Sequence, residues 1–93
     1  MASSFPAPLR VSAVQCSIHW NDVSANLQLI KSLVRDHAAM SDLIVFPETI
    51  TTGFSSEAAK LADREQGKVY QTLLRLSHEY NVALAGSYLS EVK

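Results

Sequence analysis

The apolar positions of this chain change their spacing several times, and each change marks an element. From Leu9 to Ser17 they alternate loosely in a stretch rich in Val and Ala, which predicts a first strand. From Val23 the spacing becomes three and four, through Leu27, Ile30, Val34 and Ala38. That stripe predicts a helix running to about Met40, with Asn21 or Asp22 as its cap and Lys31, Arg35 and Asp36 largely off the stripe. Leu43-Ile44-Val45-Phe46 is apolar on both faces, as a strand covered from two sides would be. Ser55 or Ser56 starts a short helix through Ala62, with Glu57 in its first turn, and Gly67 breaks the pattern. Val69, Leu73, Leu76 and Tyr80 form the stripe of a second long helix. Asn81 is suited to a left-handed cap, and Val82 to Ala85 reads as a third strand. Gly86 and Ser87 end that strand or permit close backbone approach.

Strand, helix, strand, helix, strand is the order of an α/β protein with a parallel sheet and right-handed crossovers. The 93 residues make one domain at most, with a modest core. Residues 1–8, with Ala2-Ser3-Ser4, Pro6 and Pro8, read as a flexible leader, and residues 9–93 as the folded part. The predicted helices suffice to cover one face of the sheet. An apolar second face would need either another chain or more of this one.

Composition narrows the function. At 47% hydrophobic and 18% charged residues, the chain has enough apolar surface to fold rather than stay disordered. A net charge of −1 without a basic block points to neither a nucleic acid nor an anionic membrane as partner. No apolar run is long enough to span a bilayer, and the first ten residues lack the pattern of a secretory signal. The single Cys16 excludes an internal disulfide and fits a reducing compartment, so a cytoplasmic location is expected.

The chemistry concentrates after the second strand. Glu48, set behind Pro47, emerges at the carboxyl end of a central strand, where α/β proteins place their ligands. It is a candidate acid or base, or else a loop carboxylate that caps the next element. Asp42-Leu43-Ile44-Val45-Phe46-Pro47-Glu48, with Val14-Gln15, Asn21-Asp22, Ala25-Asn26-Leu27, Thr52-Gly53-Phe54 and Ala85-Gly86-Ser87, resembles the amino-terminal third of the nitrilase superfamily of carbon–nitrogen hydrolases. The Pro-Glu followed by Thr-Gly-Phe is most similar to the ω-amidase-like branch. The resemblance implies an α-β-β-α sandwich and a Glu-Lys-Cys catalytic set that needs no metal or organic cofactor. By the same resemblance Glu48 is the general base, a cysteine thiolate attacks the amide carbon, and a lysine stabilises the tetrahedral intermediate. That lysine and cysteine belong to later strands; neither Cys16 nor Lys31, Lys60, Lys68 or Lys93 matches them. The resemblance further implies a small ω-amide as substrate and a homodimer, whereas the uncovered sheet face offers association with a larger chain instead.

Other residues carry two readings each. Thr51 and Thr52 can bond the substrate or the loop backbone, and Phe54 can line the substrate pocket or anchor its loop. Cys16 reads as a buried structural thiol, and His19, which follows closely, is a poor partner for it. His37 and His78 read as exposed helix positions without metal-ligand spacing. Two further functions compete with the hydrolase: a truncated, non-catalytic module that binds a full-length relative through an uncovered sheet face, and a generic α/β binding domain with a coincidental Pro-Glu.

Overall fold

A computed structural model describes residues 7–53 and 67–88. Three short strands, β1 (Val11–Ala13), β2 (Leu43–Val45) and β3 (Ala83–Ala85), form one parallel sheet in that spatial order. Two helices, α1 (Val23–His37) and α2 (Lys68–Tyr80), make the crossovers. Successive right-handed crossovers in one direction put both helices on the same side of a sheet. The register agrees: Ser12, Ile44 and Leu84 lie in one row, beneath the helices, and Ile44 is fully buried. The next rows, Val11-Leu43-Ala83 and Ala13-Val45-Ala85, point the other way. In both of these rows the β1 and β3 members are exposed, and no described element covers this face.

Each helix follows from its caps and its stripe. Asp22 accepts a bond from the Ala25 amide at 3.0 Å, which satisfies one orphan donor at the start of α1. Leu27, Ile30 and Val34 are buried along α1, and Ala38 follows in a 3₁₀ turn, Ala38–Met40, that replaces the predicted last helical turn. Ser41 ends that turn, its hydroxyl donating to the His37 carbonyl at 2.8 Å. His37 is half-buried, not exposed as its helix position suggested. α2 buries Val69 and Leu76, and also Thr72, which the apolar stripe did not include. It ends at Asn81, whose φ of 50° and ψ of 52° are left-handed as predicted. The Ser77 hydroxyl reaches past the cap to the Val82 carbonyl at 2.7 Å, tying the helix end to the strand that follows.

The strands are shorter than the apolar runs that predicted them, because pairing stops before apolar character does. Single bonds continue the ladder: Val14 N–H to the Val45 carbonyl at 2.9 Å and Phe46 N–H to the Ala85 carbonyl at 2.8 Å. At the amino ends, Arg10 and Asp42 clamp β1 to β2. The guanidinium donates to both carboxylate oxygens, at 3.0 and 3.3 Å, and the Arg10 amide adds a bond of 2.8 Å. Alongside, Ser12 and Ser41 share a short hydroxyl–hydroxyl bond. The predicted leader falls largely, and the helix over Ser55–Ala62 entirely, outside the described residues.

Candidate active site

Glu48 leaves the carboxyl end of β2, the central strand, and is exposed. The backbone around it is tightly specified. Pro47 precedes it with a restricted φ. Thr49 follows with φ of 48°, a left-handed conformation that is uncommon for a β-branched residue. The turn then closes on itself, because the Thr49 carbonyl accepts from Thr52 N–H at 3.1 Å and Gly53 N–H at 2.8 Å.

Three other segments hold this turn. From the β1–α1 loop, Asn21 N–H donates to the Thr52 carbonyl at 3.0 Å. From α1, the fully buried Asn26 amide donates to the carbonyls of Thr51 and His19, each at 2.7 Å, and accepts from His19 N–H at 2.7 Å. From the end of β3, Ser87 accepts twice: its hydroxyl from Thr49 N–H at 2.9 Å, its carbonyl from Ile50 N–H at 3.0 Å. Buried polar groups are retained where they are bonded, and Asn26 uses both its donors and its acceptor. The ring of Trp20 lies against Gly53, the last residue of the turn.

A cavity of about 300 Å³ opens beside the turn, lined by Phe46, Ile50, Leu73, Leu84 and Ser87 among others. Residues on both sides of Glu48 reach it, but Glu48 itself does not line it. Among the described residues the Glu48 carboxylate has no hydrogen-bond or ion-pair partner.

This fold has known counterparts. A CN-hydrolase superfamily protein from Xanthomonas campestris, whose crystal structure has an arsenic adduct in the active site, superposes with a TM-score of 0.85 at 33% identity, over 91% of this chain and 32% of that one. The carbon-nitrogen hydrolase family matches residues 10–92. The chain belongs to that family. An (R)-stereoselective amidase from a Pseudomonas species is 31% identical over 78 residues, which are 82% of this chain and 28% of the amidase. The chain therefore spans about a third of the length of the relatives it matches.

Membership in the carbon-nitrogen hydrolases removes the reading of a generic α/β binding domain and does not favour the non-catalytic module. The remaining candidates separate by geometry. Thr52 is fully buried, and its hydroxyl donates to the Gly53 carbonyl at 2.8 Å, so it makes the loop-backbone bond. Phe54 lies outside the described residues. Cys16 packs against the core, and burial pushes its thiol pKa up, which keeps it protonated and a poor nucleophile. His19 is exposed and contributes its backbone, not its ring, to the Asn26 latch. No three His, Cys, Asp or Glu side chains among the described residues cluster as metal ligands, and no described helix is long and apolar enough to cross a membrane.

Asn26 and Ser87 are site-holding residues whose task was not read from the sequence. Both belong to stretches that resemble the family, but nothing in their spacing reveals the bonds. Asn26 offered one signal: it lies three residues after Val23 and four before Ile30, a polar amide on an apolar stripe.

Proposed function

We propose that this chain supplies the general-base carboxylate, Glu48, of an enzyme that hydrolyses a small amide to a carboxylate and ammonia. The observation that supports it is the position of Glu48. It follows the central strand of a carbon-nitrogen hydrolase fold, on a turn bonded to three other segments. Glu48 takes the proton of a cysteine thiol as the thiolate attacks the amide carbon, and gives it to the departing amine. It then activates water to release the acid. The thiol and the charge-stabilising lysine are supplied by parts of the enzyme that this chain does not match.

For the substrate we propose an ω-amide, such as the amide of a dicarboxylic 2-oxo acid. The support is the Thr52-Gly53-Phe54 loop, which is similar to that of the ω-amidase-like branch. The amidase among the relatives favours an amide over a nitrile.

The test is ammonia release from ω-amides by the complete enzyme and its Glu48→Gln variant. The glutamine keeps the shape and removes the base. A loss of about 10²–10⁴-fold in kcat is expected, with circular dichroism unchanged. Turnover retained in the variant would sink the assignment of Glu48.

A further inference from the structure

Glu48 is not held by its own residue. Its conformation is set by its neighbours, and those neighbours are bonded to one short segment, Ala85-Gly86-Ser87. Before Glu48, Phe46 N–H ends on the Ala85 carbonyl at 2.8 Å. Beside it, Gly86 packs so close that a Cβ there would lie 3.2 Å from Phe46 Cβ. After it, Thr49 and Ile50 both donate to Ser87, the first to the hydroxyl and the second to the carbonyl. Ala85 and Ile50 thus offer backbone bonds that any residue at position 87 would preserve. The Thr49 bond alone depends on a side chain.

That bond falls at the costliest point of the turn. A threonine with φ of 48° persists only where its surroundings over-determine it. The Thr49 carbonyl is occupied by Thr52 and Gly53, and its hydroxyl donates to the Glu48 carbonyl at 2.7 Å. Its amide is the remaining handle, and Ser87 Oγ takes it.

We propose that Ser87 is a positioning residue: its hydroxyl holds Thr49 in the left-handed conformation and so aims the Glu48 carboxylate. The proposal rests on the reading of Glu48 as the catalytic base. Ser87 is exposed, so replacing it does not open a cavity in the core. Without the hydroxyl, Thr49 relaxes toward negative φ, the peptide after Glu48 rotates, and the carboxylate departs from its line to the thiol. Misplacement of that kind acts on the chemical step more than on substrate binding.

The experiment has two arms. In the complete enzyme, Ser87→Ala is expected to lower kcat about 10–100-fold with KM nearly unchanged, and Ser87→Thr, which keeps a hydroxyl, to restore most of the loss. In the isotope-labelled complete enzyme, Ser87→Ala is expected to speed amide exchange at Thr49 about tenfold. The Asn21 amide, bonded to the same turn without Ser87, should exchange as before. Full kcat in Ser87→Ala, or no rescue by threonine, overturns the proposal, as does an unchanged Thr49 amide. If the wild-type enzyme hydrolyses no amide, it is the functional reading that fails, and the exchange arm alone decides whether Ser87 holds the turn.

Discussion

Gly53 shows how one residue can be required from two directions. Its φ of 76° is left-handed, and a Cβ built on it would sit 2.8 Å from Trp20 Cε3. Gly53→Ala therefore meets both backbone strain and a displaced indole, at an expected cost of about 2 kcal/mol or more. Trp20 is the single tryptophan of the chain, so its fluorescence reports the displacement directly. A lowered urea midpoint together with an altered Trp20 emission is expected; the same midpoint and spectrum as wild type would remove the ring from this role. At this scale the sequence was legible where a residue has few alternatives. Asn81, a cap that tolerates left-handed backbone, is where it was expected. Thr51 and Thr52 were not legible as core, because nothing in a polar side chain announces that its backbone carbonyl will be latched, Thr51 by the Asn26 amide of α1 and Thr52 by the Asn21 N–H of the loop before it.

At the scale of elements, the helices were readable because their periodicity and caps are local, and the strand ends were not, because pairing depends on partners far away in sequence. The Arg10–Asp42 clamp is the plainest case: the two residues are 32 apart in sequence and define the amino ends of β1 and β2. The Arg10 hydrogen bonds hold the Asp42 carboxyl below the usual aspartate range. A lowered folded-state pKa stabilises above the unfolded value and is lost as pH falls through the folded one. Asp42→Asn should consequently lower the thermal midpoint at neutral pH, and the gap from wild type should narrow as the solution is made strongly acid. The pair is exposed, so the effect will be small. A gap that does not change with pH would show that the charge of Asp42 contributes nothing.

For the molecule as a whole, the parallel sheet and its crossover helices were legible in the alternation of elements, whereas the spatial order of the strands and the identity of whatever covers the second sheet face were not. That face carries Val11, Ala13, Leu43, Val45, Ala83 and Ala85. Ala13 is exposed on it, so Ala13→Lys is expected to change the unfolding free energy of the 93-residue chain by less than about 0.5 kcal/mol. In the complete enzyme, an α-β-β-α sandwich would bury the same position, and the uncompensated charge should be strongly destabilising. Comparing urea midpoints of the two pairs of proteins makes the measurement. Equal, small effects in both would mean that the face stays open.

The parallel register has a last consequence, for how such a chain reaches its fold. Val11 meets Leu43 after 32 residues, and Leu43 meets Ala83 after 40. The logarithmic growth of loop-closure entropy makes these two searches differ by only about 0.2 kcal/mol. Chain length is thus nearly indifferent to which crossover closes first. What separates them is local: α1 carries a side-chain cap at Asp22, whereas α2 begins at Gly67 without one. Any preference for one crossover over the other must therefore come from local terms such as these caps, and not from the distances between strands.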